Sequence, residues 1–527
     1  MTSDTNPATQ GAEALGADGA DAGGAGTPGA GTGLAGTWDR DALGVLMAPI
    51  EGTTVPEWAR GALEGGLASV ILFGYNTPSP EAARDLAREI HGISAQALVS
   101  IDEEGGDVTR LQAGTGSSLP TAWALGQVDD TALTAEVGAA LGGLLHACDL
   151  DLALSPVLDV STDPANPVIG TRAFGATPDL VARHAEAFAT GLRSAGVGTC
   201  GKHFPGHGAT ATDSHTDLPR IDLDEHAFRA EHLAPWAIAP RLDAVMTAHI
   251  LVPALGEGPA SISPWSAPLL RDVSRGGFDG LIVTDALDMA AVAADPGVGE
   301  AVVRAVEAGA DLLCLGTSLR RDDLGMVREA HDALVGAVAS GRIRREDLAS
   351  RALRTREAAG ALRRRRRLHG QGDLADALGT LARLGPRAAA RAIDIRSAAL
   401  DGTPVVVVDA RGRVDHAARI RPVHLLEALT EKGIDATAAE AVSDLEDDRA
   451  VLVVTRLPRA DPPEERRLQE VITARPDAIV VHIGVPDAAP AHRHLVLTLG
   501  GGLVPMRAAV EALLAAGRTA GATGGSA

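Results

Sequence analysis

The chain has 527 residues, of which 45% are hydrophobic and only 2% aromatic, and its formal net charge is -22. That length exceeds what one core fills and implies two or three domains. The acidic balance and the shortage of stacking rings exclude a nucleic-acid binder, since a phosphate backbone would be repelled and bases would find no platform. No apolar run reaches about 18 residues, so no membrane-spanning helix is expected.

Residues 1–36 are Gly, Ala and Thr with scattered acids, a composition that cannot build a core and reads as a disordered tail. A basic n-region followed by an apolar h-region is missing, so secretion is not expected and a cytoplasmic location is. Cys148, Cys200 and Cys314 are odd in number and far apart, each in an apolar run. They read as reduced, buried thiols rather than a disulfide framework. Of the 47 basic residues only Lys202 and Lys432 are lysines. In such a chain a lysine reads as a chemical choice.

Across 37–368, eight short apolar runs alternate with amphipathic stretches: 43–47, 67–73, 97–101, 150–154, 196–200, 243–248, 280–284 and 311–315. Continuous apolarity over four to seven residues is the pattern of parallel strands covered on both faces. Eight such strands separated by helices predict an α/β fold, a closed (β/α)8 TIM barrel, with an open doubly wound sheet as the competing reading. Residues 318–368 read as helical and end in Arg363 to Arg367. That run is either a surface for an anionic ligand or partner, or a solvated helix end. A helical linker is expected within 369–402, centred on 373–400. A smaller open α/β domain follows at 403–516, with strands at 404–409, 450–455, 477–484 and 495–499, and a frayed tail at 517–527.

In a barrel of this kind catalytic groups stand at the C-terminal ends of the strands. Those ends carry Asp102-Glu103-Glu104-Gly105-Gly106 with Arg110, then Pro156, Asp159 and Thr171-Arg172. Strand five leads into Lys202-His203-Phe204-Pro205-Gly206-His207-Gly208 and Asp213-Ser214-His215, and the last two ends are His249 and Asp285. One shared site explains why charged groups end several apolar strands. Asp285 follows Leu281-Ile282-Val283-Thr284 directly, a rigid mount for a covalent nucleophile. The alternative is an N-cap for a helix from 286, with Asp288 in that helix's first turn. In Asp213-Ser214-His215, a histidine that titrates near neutrality can donate and then recover a proton, with the aspartate fixing its tautomer. Gly206 and Gly208 would make the preceding loop pliable enough to close over substrate.

Six histidines, His203, His207, His215, His226, His232 and His249, fall within 47 residues and raise a metal-dependent hydrolase as an alternative. Phe204-Pro205-Gly206 would break any helix presenting His203 and His207 together, and no carboxylate-rich set completes a site. The glycines at 105, 106, 206 and 208 form neither G-x-G-x-x-G nor a phosphate-loop lysine motif, and the Gly-rich stretches at 499–502 and near the N-terminus read as loop and disorder. No metal and no cofactor are therefore expected.

The string Lys202-His203-Phe204-Pro205-Gly206-His207-Gly208 with Asp213-Ser214-His215, preceded by Asp102-Glu103-Glu104-Gly105-Gly106 and followed by Thr284-Asp285-Ala286-Leu287-Asp288-Met289, resembles glycoside hydrolase family 3. It is most similar to the bacterial β-N-acetylglucosaminidase branch, over roughly residues 40–330. The resemblance implies a barrel enzyme that retains configuration through a glycosyl intermediate on Asp285, with His215 as acid/base paired to Asp213. It implies that Asp102 bonds sugar hydroxyls and that Arg110, Arg172, Lys202 and His203 line the terminal-sugar site. A compact ammonium with three donors then gives the rare lysine a reason. Two departures stand out: D-E-E-G-G-D where the family usually has D-Q-E-G-G-R, placing Asp107 at an arginine position, and T-D-A-L-D-M where it has S-D-D-L-x-M. The expected partner is a small carbohydrate, either a peptidoglycan fragment or a chito-oligosaccharide. Oligomeric state and the role of the second domain are not legible. Transfer of the glycosyl group to phosphate and a non-catalytic carbohydrate binder are the further alternatives.

Overall fold

The computed structural model describes residues 38–114, 116–210, 218–274, 276–319, 321–412 and 424–524. Eight parallel strands form the first sheet: β1 (Leu46–Pro49), β2 (Ser69–Leu72), β3 (Leu98–Ile101), β4 (Leu152–Ala153), β5 (Gly198–Phe204), β6 (Ala244–Thr247), β7 (Leu281–Thr284) and β8 (Leu313–Cys314). Their order is β7-β6-β5-β4-β3-β2-β1-β8. A parallel bridge from Val283 to Leu312 joins the two ends, so the sheet is a barrel and not an open layer.

Six of the eight apolar runs contain their strands, and β1 and β5 begin inside theirs and run past them, because each strand is covered twice. Met47, Ile71, Leu98, Leu152, Met246 and Val283 meet inside the barrel, while Leu46, Val70, Val99, Ala153, Val245 and Ile282 pack against the surrounding helices. This alternation is the pleat of a strand read from both sides.

The helix Arg345–Leu368 shuts the N-terminal mouth, with Ala359 and Leu362 reaching the inner cluster. Its arginine run was open to two readings, a ligand surface or a solvated end. Three of the five instead bind the starts of the strands. Arg363 is buried and donates to the Ala97 carbonyl. Arg365 donates to Val197 O at 2.8 Å and to Asp243 at 2.9 Å. Arg366 donates to Asp149 O and to Asp151 Oδ1, both at 2.8 Å. Arg364 and Arg367 face solvent.

The second sheet contains β9 (Asp394–Arg396), β10 (Val405–Asp409), β11 (Ala436–Ala439), β12 (Ala450–Thr455), β13 (Ile479–His482) and β14 (Leu495–Leu497), in the order β11-β10-β12-β13-β14-β9. Only β9 is antiparallel, paired to β14. β9 and β11 were not expected. The linker helix stops at Ala392, and the chain returns as an edge strand where continued helix was expected. Val406, Val408, Val451 and Val453 share one apolar cluster with Trp123, Val157, Val168 and Ile169 of the barrel, so the second sheet rests on the β3–β4 and β4–β5 connections.

Candidate active site

A cavity opens at the C-terminal ends of the barrel strands. Asp102, Glu104 and Arg110 reach it from the segment after β3, Arg172 from the one after β4, Lys202, His203 and His207 from β5 and beyond, and Asp285 and Asp288 from the end of β7. Phe73, Met246 and Met289 supply apolar wall. Six of the eight residues singled out in the sequence, Asp102, Arg110, Arg172, Lys202, His203 and Asp285, therefore share one space. The other two, Asp213 and His215, lie outside the described residues.

One side of the cavity is a chain of charges. The Lys202 ammonium lies 2.7 Å from Asp102 Oδ1 and 2.6 Å from Glu104 Oε1, and its side chain is almost wholly buried. Glu104 also receives both Nε and Nη2 of Arg172, at 2.9 and 2.8 Å, a bidentate pair. Arg110 Nη2 stands 3.8 Å from Asp102 Oδ2. Burial opposes the charges of Asp102, Glu104 and Lys202, and the neighbours overcome it. Lys202 and Arg110 hold the Asp102 carboxyl below its ordinary value. Arg172 and Lys202 hold Glu104 far below its own, and the two carboxylates keep Lys202 above the usual lysine value. All are ionised at neutral pH, and Lys202 retains one N–H beyond the two its carboxylates take.

Lys202 and His203, expected at the end of strand five, lie on the strand itself, because β5 continues past residue 200 to Phe204. Asp159 orders the end of this strand and the turn beyond it. Its Oδ2 accepts from His203 Nδ1 at 2.7 Å and its Oδ1 from the backbone N–H of His207 at 2.6 Å. With Nδ1 committed to a carboxylate, Nε2 is the remaining polar atom of the His203 ring. Burial pushes His207 down to about 4, so this imidazole is neutral, and its Nδ1 pairs with Thr210 Oγ1 at 2.7 Å. Packing leaves no room for a side chain at either loop glycine. A Cβ on Gly208 would lie 1.8 Å from the Val160 carbonyl oxygen, and one on Gly206 would lie 2.9 Å from Cβ of His232.

Asp285 is held by its backbone, whose N–H donates to Thr247 O of β6 at 2.9 Å. It is not the N-cap of a helix. The next helix, Ala290–Ala293, starts later and is capped at Met289, so Asp288 is not in a helical first turn either. Asp288 Oδ2 accepts from Thr317 N–H at 3.1 Å. That approach requires Gly316, with φ +103°, since a Cβ there would fall 1.9 Å from Asp288 Oδ1. His249 braces the same segment: its Nε2–H donates to Ala286 O at 2.9 Å while Nδ1 accepts from Ser261 Oγ at 2.5 Å. Asp159, Glu104 and His249 all appeared among the strand-end residues. Their supporting roles had no signal in one sequence, because the partners Ser261, Ala286, His203 and Arg172 lie 12 to 68 residues away.

Among the described residues, no group of three His, Cys, Asp or Glu is placed to hold a metal ion. His203 and His207 face each other edge to face with centroids 6.0 Å apart, His232 is buried against Phe228, and His226 lies on the surface helix Glu225–Phe228.

Residues 54–357 match the N-terminal domain of glycosyl hydrolase family 3. A β-hexosaminidase of Alkalilimnicola ehrlichii is 36% identical over 284 residues, 52% of this chain and 80% of that protein. A family 3 β-N-acetylglucosaminidase from Paenibacillus sp. superposes with a TM-score of 0.79 at 31% identity, over 90% of this chain and 96% of its own. NagZ from Neisseria gonorrhoeae, solved with N-trifluoroacetyl-D-glucosamine, gives a TM-score of 0.52 at 32% identity, over 64% of this chain and 97% of its own. With the barrel, the strand-end carboxylates and the matched segment in agreement, the chain belongs to glycosyl hydrolase family 3.

Proposed function

We propose that the protein is an exo-acting β-N-acetylglucosaminidase that removes terminal N-acetylglucosamine with retention of configuration, acting on peptidoglycan fragments or short chito-oligosaccharides. The observation that carries this reading is the placement of Asp285, fixed by its backbone at the end of β7, on the same cavity as the Asp102–Lys202–Glu104 charge cluster. The β-hexosaminidase and β-N-acetylglucosaminidase relatives support the choice of sugar.

In this reading the terminal sugar is clamped by Asp102, Arg110, Arg172, Lys202 and His203. Asp102 accepts hydroxyl hydrogens and Lys202 donates its third N–H. An Asp285 oxygen attacks the anomeric carbon as the bond to the leaving oxygen breaks, giving a glycosyl ester. His215, oriented by Asp213, gives the leaving oxygen its proton, then takes one from the water that cleaves the ester. Muropeptide recycling in the cytoplasm would supply such substrates. No described helix is long and apolar enough to cross a membrane.

The test is turnover of aryl β-N-acetylglucosaminide and aryl β-glucoside, with and without EDTA, by the wild type and Asp285→Ala. Cleavage of the first substrate alone, insensitive to EDTA and lowered about 10⁴-fold in the variant, is the expected result. EDTA-sensitive cleavage would contradict it in favour of a metal site. A sugar 1-phosphate formed in phosphate buffer would replace water with phosphate as the acceptor.

A further inference from the structure

Asp107, the aspartate that stands where the resemblance leads one to expect arginine, does not line the cavity. It sits at the tip of a turn in which Glu104 N–H donates to Val108 O at 3.0 Å and Val108 N–H to Gly105 O at 3.3 Å. This turn joins the two halves of the charge cluster: Asp102 and Glu104 lead into it, and Arg110 leaves it. Glu103 ties it from the inside, its Oε2 accepting from the backbone N–H groups of Arg110 and Leu111 at 2.7 and 3.0 Å.

The tie on the outside comes from the second domain. Asp107 Oδ1 accepts from Gly501 N–H at 2.9 Å, just ahead of the helix Leu503–Gly524, where a carboxylate is favoured by the helix's positive end. Thr121 Oγ1 donates to Leu499 O at 2.6 Å in the same seam, and Gly106 N–H donates to Leu119 O at 3.2 Å. The seam has no slack. A Cβ on Gly500 would lie 2.8 Å from Thr121 Cγ2, and one on Gly106 would lie 2.5 Å from it.

We propose that Asp107 is a positioning residue through which the second domain fixes Asp102, Glu104 and Arg110 in the terminal-sugar site. The inference rests on the proposed role of this cluster in holding the sugar. A loosened turn misplaces groups that grip the sugar in ground state and transition state alike, so the loss falls on binding. Asp285, carried on β7 and braced by β6, is not on the tether.

The test measures kcat and KM on aryl β-N-acetylglucosaminide, the affinity for free N-acetylglucosamine by calorimetry, and the thermal midpoint. The variants are Asp107→Ala, Asp107→Asn and, from the other side of the seam, Gly500→Ala. Asp107→Ala is expected to raise KM and weaken N-acetylglucosamine together by about fivefold or more, with kcat within about twofold. Asp107→Asn keeps an acceptor for Gly501 and is expected to recover most of the affinity, whereas Gly500→Ala is expected to reproduce the loss. A lower midpoint with unchanged KM and affinity would overturn the proposal and leave Asp107 as an interdomain fastener. Should Asp107→Ala not fold, the other two variants give the same reading. A wild type without turnover would contradict the hydrolase reading, and N-acetylglucosamine affinity would still decide on the tether.

Discussion

The two mouths of the barrel are built from the same materials. At the N-terminal mouth Asp151, Asp243 and Asp311 stand at the entry to β4, β6 and β8, as Asp102 and Asp285 stand at the exit of β3 and β7. The entry carboxylates are each answered. Asp151 takes Arg366 at 2.8 Å, His91 at 2.8 Å and the Val99 N–H at 2.9 Å. Asp243 takes Arg365 at 2.9 Å and Arg193 at 2.8 Å, and Asp311 takes the Ile282 N–H at 3.0 Å and Arg354 at 3.3 Å. A helix then closes over them. At the other mouth the charges pair among themselves around an open cavity. An acid at a strand end thus signals chemistry only where nothing plugs the mouth; elsewhere the same ion pair fastens the fold, at a desolvation cost its partners must offset.

This contrast can be broken by substitution. Lys202→Met removes the cation between the Asp102 and Glu104 carboxylates of the open mouth, and we expect kcat/KM on an aryl β-N-acetylglucosaminide to fall by about 10³-fold. A loss under tenfold would show the cluster to be scaffolding. Arg366→Ala at the plugged mouth is expected to cost about 3 kcal/mol in chemical denaturation while leaving KM unchanged, because Asp151 keeps only part of its partner set. A changed KM there would erase the functional distinction between the mouths.

The smallest expected effect sharpens the comparison within the open mouth. Burial raises Glu103 to about 6, from an ordinary 4.5. The folded protein therefore holds this proton to higher pH than the unfolded chain does. Folding is unpenalised below about 4.5 and loses stability as pH rises through about 6. Glu103→Gln, the residue the family pattern carries there, is expected to gain about 2 kcal/mol at pH 8 and almost nothing at pH 4. Denaturation curves at the two pH values check this, and an equal effect at both would refute the assignment.

The comparison also explains what was legible in the sequence. Barrel strands were legible because burial on both faces writes a continuous apolar run. β9, with Asp394 and Arg396, and β11, with Ala436 to Ala439, were not, because short edge strands carry neither continuity nor alternation. Asp102, Lys202, His203 and Asp285 were legible from motifs at strand ends. The arginine run was not, since its partners Ala97, Asp151 and Asp243 lie 122 to 266 residues away. The packing pressure on Gly206 and Gly208 was not legible, because it comes from His232 and Val160.

The proposed mechanism turns on Asp285 carrying the sugar in a covalent intermediate. That step is tested by mass spectrometry of the protein after reaction with a 5-fluoro-N-acetylglucosaminyl fluoride, which forms the glycosyl ester quickly and hydrolyses it slowly. One added glycosyl unit is expected, mapped to the peptide containing Asp285 and absent in Asp285→Ala. Turnover without any adduct, or an adduct on another residue, would contradict the mechanism.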